Sequence, residues 1–129
     1  MVSLATTTAL ARLAVALSGR RIDCTTEDRM QACVAHALSE AGIPHEREVI
    51  LSPRDRIDLC ALGCGIECKI EGSMSDVTRQ VIRYLGHERI AGLLLVTGRA
   101  RLGRCLPAEI ALGGTTKPVR VHETWKGNL

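Results

Sequence analysis

A chain of 129 residues is long enough for one core and too short for two, so it reads as a single domain. With no Phe, one Tyr and one Trp it lacks the aromatic platforms on which single-stranded nucleic acid stacks, and its interior must be built from Leu, Ile, Val, Ala and Cys. Net charge is only +3, but 14 Arg stand against 3 Lys, a bias toward the side chain that grips phosphate through two hydrogen bonds.

The apolar stretch 4–17 has no positive residue ahead of it and is interrupted by Arg12, so it is neither a signal peptide nor a membrane span. Leu10, Leu13, Ala14 and Leu17 share one helical face, and Ser18-Gly19 stops the run. Residues 1–22 therefore form an amphipathic N-terminal helix that covers the domain or pairs with a second copy. A second helix is expected to open at Thr25 as N-cap, with Asp28 at the third position. Its stripe is Met30, Cys33, Val34, Ala37, Leu38 and Ala41, and Gly42 ends it. Residues 48–51 read as a strand; Glu48 at its start is a solvated edge residue or a further acid behind a site. Ser52-Pro53-Arg54-Asp55 turns the chain into the next strand.

Residues 56–60 and 65–70 alternate apolar and polar with period two, as half-buried strands do, around a glycine-rich turn near Leu62-Gly63-Cys64-Gly65. With a turn of even length, Asp58 lies opposite Lys69 and Cys60 opposite Glu67, so Asp58, Glu67 and Lys69 converge on one side. Two adjacent carboxylates repel unless a hard cation lies between them. Mg²⁺, or Mn²⁺ in its place, binds through one or two carboxylates, and the carbonyl of Cys68 could complete the protein ligands. Lys69 is placed to orient a bound water or to stabilise charge on a phosphorane. Alone, Glu-x-Lys is as ordinary as a solvated strand face.

The following segment strengthens the pattern. Ser73 with Asp76 fits a capping box, and Val77, Val81, Ile82 and Leu85 recur at helical spacing before Gly86. Gln80 and Tyr84, at i and i+4, project from one side of that helix. Arg54, Arg56, Arg79 and Arg83 surround the acids in sequence and are the phosphate-contact candidates. Residues 90–97 are continuously apolar, as in a central strand covered on both faces and parallel to the Glu-x-Lys strand. The basic stretch Arg99, Arg101 and Arg104 follows, then a short helix at 106–112, a break at Gly113-Gly114, a last strand at 118–122 and a frayed end at 123–129. Six cysteines form no Cys-x-x-Cys, and Cys60 and Cys68 face opposite sides of the hairpin, so reduced thiols in a cytoplasmic protein are expected.

Asp58, then Glu67-x-Lys69 after a short hairpin, then Gln80-x-x-x-Tyr84 on a helix, resemble the PD-(D/E)xK, restriction-endonuclease-like nuclease superfamily, in particular its RecB-like branch. Ile57 stands where the family name has proline. The resemblance implies an α/β fold with an αβββαβ core, a mixed central sheet flanked by helices and an extra N-terminal helix, the nuclease domain being 23–129. It implies a Mg²⁺-dependent deoxyribonuclease hydrolysing phosphodiester bonds to leave a 5′-phosphate, in DNA repair, recombination or phage DNA processing, with a homodimer for two-stranded cutting. Asp58, Glu67, Lys69, Gln80 and Tyr84 are then the catalytic set. Helices preceding the sheet in this superfamily often lend an acid to the metal, here Glu27, or else Glu40. The competing expectation is a catalytically inactive relative serving as a binding or inhibitory module.

Overall fold

A computed structural model of the protein describes residues 2–124. Along the chain run α1 (Leu4–Leu17), α2 (Glu27–Glu40), β1 (Glu46–Ile50), β2 (Arg56–Ala61), β3 (Cys64–Lys69), α3 (Met74–Leu85), β4 (Gly92–Thr97), α4 (Ala100–Arg104), β5 (Glu109–Leu112) and β6 (Thr115–Glu123). The strands form one six-stranded mixed sheet in the order β1-β2-β3-β4-β6-β5. β4 lies parallel to both β3 and β6, and the other neighbours are antiparallel. The protein is thus mixed α/β, with helices on both faces of the sheet. No helix among the described residues is long and apolar enough to cross a membrane.

Burial follows the sequence periods. β4 is buried at every position, Leu94 and Val96 facing the α1/α2 side while Leu93 and Leu95 face the α3/α4 side. α1 buries Leu10, Leu13, Ala14 and Leu17, and full burial of a leucine side chain contributes roughly 1.5–3 kcal/mol. It lies so close to β4 that a β-carbon on Gly92 would stand 2.8 Å from Thr6 Cγ2. This helix is therefore part of the core packing on that face. On the opposite side, Lys117 of β6 donates its ammonium protons to three backbone carbonyls beyond and at the end of α3: Leu85 (2.7 Å), His87 (3.1 Å) and Ile90 (2.7 Å). The Leu85 carbonyl is one that a helix leaves without a partner as it ends.

Several boundaries differ from expectation for local reasons. The N-cap of α2 is Thr26, whose side chain accepts the Arg29 N–H at 3.1 Å. Thr25 is instead drawn back to Asp23, donating through both N–H and hydroxyl at 2.9 and 2.6 Å. β1 starts at Glu46, ahead of the expected 48. No helix spans 106–112: the helix is α4, earlier, and Glu109–Leu112 is an edge strand pairing with β6. Gly113-Gly114 is the two-residue turn of that hairpin, with Leu112 opposite Thr115 and Gly113 at φ 61°. β6 runs through Glu123, and the Thr124 N–H donates to the Thr97 carbonyl at 2.8 Å; the rest of the expected frayed end, 125–129, lies outside the described residues. The Ser73 cap of α3 is as expected, accepting the Asp76 N–H at 3.1 Å.

Candidate active site

The β2/β3 hairpin turns in two residues, Leu62 and Gly63, both left-handed with φ of 54° and 77°. Its register pairs Ala61 with Cys64, Cys60 with Gly65 and Leu59 with Ile66. The expected pairs, Asp58 with Lys69 and Cys60 with Glu67, are therefore replaced, because the turn is two residues long and not four. Both turns are even, so the faces are unchanged for the residues that the ladder pairs. Continuing the register puts Asp58 across from Glu67, but here the backbone ladder has stopped and side chains span the gap. The Asp58 N–H donates to Glu67 Oε1 at 3.3 Å, and the Cys68 N–H donates to Asp58 Oδ2 at 2.9 Å.

Two carboxylates thus meet at the open end of the hairpin, in a poorly hydrated place. Glu67 is 5% exposed. Burial, and then the charge of Asp58, push its pKa up to about 8, against a downward pull from Lys69, whose Nζ lies 3.9 Å from Oε2. The Asp58 pKa is also raised, first by burial, with Glu27 and Glu48 adding like charge and the Cys68 N–H opposing. Behind the pair, α3 contributes Tyr84 and Gln80. The Tyr84 hydroxyl lies 3.0 Å from the Arg56 carbonyl and 3.5 Å from Glu67 Oε2, and it accepts the Gln80 amide at 3.0 Å. Burial raises the Tyr84 pKa, so it stays a donor. Lys69, Gln80, Arg79 and Arg83, with Glu71 and Asp76 among them, line a groove of about 330 Å³ that meets the acids only through Lys69.

Glu27, first residue of α2, reaches the rim: its Oε2 accepts the Ile70 N–H at 3.2 Å, tying the helix to the end of β3. Glu40 sits at the other end of α2, engaged with Arg20 and with His36 Nε2. Among the described residues no three of His, Cys, Asp and Glu side chains gather as a metal cage. A cation here would rest on Asp58 and Glu67 with backbone carbonyls and water, a hard-oxygen set that fits Mg²⁺ or Mn²⁺. Cys68 offers only its backbone, since its thiol lies in the α1/α2 cluster while Cys60 lies in the other. All six thiols are free. Of the four arginines, Arg56 pairs with Glu48 (3.1 Å), Arg79 with Asp76 and Arg83 with Asp55 (2.6 Å), while Arg54 is exposed on the turn before β2. Their charge is partly spent within the protein.

Two residues around the site, and the backbone angle of a third, escaped the sequence reading. Asp55, 5% exposed, takes Arg83 on one oxygen and His87 Nε2 (2.8 Å) on the other, and the His87 bond leads the causes that hold its pKa low. Gln31, 3% exposed, donates to Glu48 Oε1 at 3.4 Å and accepts from Arg47 Nε at 3.0 Å. Glu48 itself has φ 53° within β1. The signal available for Gln31 was a polar residue one turn ahead of Val34 on the apolar stripe; Glu48's backbone angle left none.

Compared with family models, curated proteins and solved structures, the chain has no match.

Proposed function

We propose that the protein is a Mg²⁺- or Mn²⁺-dependent deoxyribonuclease with a restriction-endonuclease-like core, of the PD-(D/E)xK kind that its motifs resemble. The observation that carries this reading is the meeting of Asp58 and Glu67 where β2 and β3 part, with the Lys69 ammonium 3.9 Å from Glu67. The run α2-β1-β2-β3-α3-β4 supports it, with the acid near the start of β2, Glu-x-Lys closing β3 and Gln80-x-x-x-Tyr84 on α3. What the cation supplies when bound is Lewis-acid activation of water and neutralisation of charge at phosphorus.

The chain's own residues do the rest. Asp58 and Glu67 supply anionic oxygens whose mutual repulsion a cation relieves. Lys69 orients the attacking water and stabilises the added negative charge as water oxygen bonds to phosphorus and the P–O3′ bond breaks. The products are a 5′-phosphate and a 3′-hydroxyl. Tyr84, anchored by Gln80, fixes Glu67 from behind. The groove along α3 takes the phosphodiester backbone, with Arg79 and Arg83 exchanging internal partners for phosphate and Arg54 and Arg56 adding contacts from the strand side. Two-stranded cutting would use a homodimer.

The test is incubation with supercoiled, linear, single-stranded and branched DNA in Mg²⁺, Mn²⁺ or EDTA, beside Glu67→Ala and Lys69→Ala. Expected is cleavage that needs the cation and is lost in both variants. Cleavage surviving either substitution would contradict these roles, and cation binding without cleavage would leave a binding module.

A further inference from the structure

The strand beside the acids carries a deformation that the proposed chemistry does not yet use. In β1, Glu48 has a left-handed backbone, φ 53°, a conformation costing a non-glycine residue about 1–2 kcal/mol. It lies between two ladder pairs, Arg47 with Leu59 and Val49 with Ile57, and the pair between them, Glu48 with Asp58, is absent from the ladder. Alternation also breaks at this point. Ile57 and Leu59 are two residues apart and should share a face, yet Ile57 joins Val49 in the α3-side cluster and Leu59 lies in the α1/α2 cluster. The pleat of both strands inverts at Glu48 and Asp58.

Side chains hold that inversion in place. One carboxylate oxygen of Glu48 accepts from the buried amide of Gln31 at 3.4 Å, and the other meets Arg56 Nε at 3.1 Å. The same Gln31 amide accepts from Arg47 Nε at 3.0 Å, so one core residue grips two consecutive residues of β1. A buried amide in an otherwise apolar stripe is favoured over an apolar side chain only where its bonds fix something. Asp58, the residue across from the deformation, has left the ladder with β1 and turned both its N–H and its carboxylate toward β3.

We propose that Glu48, clamped by Gln31 and Arg56, is a positioning residue that sets Asp58 for cation binding. This rests on the reading of Asp58 and Glu67 as the cation's ligands. Glu48 does not itself hold the ion. It acts through that clamp, which fixes how β1 lies against β2 and so leaves the Asp58 N–H free for Glu67 and the Asp58 carboxylate free for the Cys68 N–H.

Mn²⁺ binding by calorimetry on the full chain tests it, with melting curves on each variant. Glu48→Gly suits the left-handed angle while removing the clamp, so its melting point is expected not to fall, whereas Mn²⁺ affinity drops by about tenfold or more. Glu48→Gln keeps an oxygen for the Gln31 amide and is expected to bind within about threefold of wild type, which separates positioning from charge. Gln31→Leu weakens binding as Glu48→Gly does, and stands in should that variant not fold. Asp58→Asn abolishes binding. If Asp58→Asn loses Mn²⁺ but Glu48→Gly and Gln31→Leu bind like wild type, this inference fails alone. Equal weakening in Glu48→Gln and Glu48→Gly overturns positioning in favour of a purely electrostatic role. Wild type that takes no Mn²⁺ overturns the ligand reading and this inference together.

Discussion

The two ends of the β2/β3 hairpin are built on opposite principles. At the turn, three residue pairs are joined backbone to backbone, Gly65 fits beneath Ile57, and the neighbours are apolar. At the open end, the same strands are joined by carboxylates reaching across to amide hydrogens. The first end is stable as it stands. The second holds two acids whose charged forms burial disfavours, with the charge of Asp58 adding to this at Glu67 and the charges of Glu27 and Glu48 adding to it at Asp58, and such a place becomes favourable only when a proton or a cation intervenes. The site lies where regular pairing gives out.

The contrast can be broken most severely at Glu67. Glu67→Ala is expected to lower DNA cleavage by about 10³-fold or more, measured as initial rate in Mg²⁺. The same carboxyl should make stability fall as pH rises. Between its ordinary value of 4.5 and about 8, the unfolded chain releases a proton that folded Glu67 retains, so the metal-free protein loses stability as pH rises through that window. Melting curves in EDTA should show this decline, and Glu67→Gln or added Mn²⁺ should flatten it. Next in size, Lys69→Met should reduce cleavage by roughly 10²-fold while leaving Mn²⁺ binding intact, because in the proposed reaction the ammonium serves the water and the phosphate and not the ion. At the turn end the effects reverse in kind. A β-carbon at Gly65 would stand 2.4 Å from Ile57 Cδ1, so Gly65→Ala should cost about 1–3 kcal/mol in urea unfolding without changing Mn²⁺ affinity. Smallest is Tyr84→Phe, which removes the hydroxyl shared by Arg56 and Glu67 and should cost about 1 kcal/mol by the same assay.

Much of this was visible in the residues themselves. The α1 face, the Ser73 cap and the doubly covered β4 follow from periods and hydroxyls that neighbours in sequence supply. The acids were expected together and do meet although the register was wrong, through hydrogen bonds across the open hairpin and not through strand parity, which breaks at Asp58. What failed were features that distant partners decide. Leu62 occupies a left-handed turn position with no glycine or asparagine to announce it. Residues 106–112 are rich in helix formers, yet pairing with β6 makes 109–112 a strand, as tertiary context overrides propensity. Thr25 and Thr26 were equivalent until Asp23 took the first. Asp55, Gln31 and the angle of Glu48 gain their meaning only from contacts 16 to 32 residues away in the chain.

The grip of Lys117 on the carbonyls of Leu85, His87 and Ile90 makes an anchor. With that end fastened to β6, and the Ser73 end held by Arg101 on the Gly72 carbonyl and by Cys105 Sγ on the Met74 carbonyl, the α3 rod that bears Gln80 and Arg79 is pinned at both ends. A modification that neutralised this single ammonium, acetylation for example, would unpin the rod next to Tyr84, whose hydroxyl reaches Glu67, and so disturb the acids from a distance.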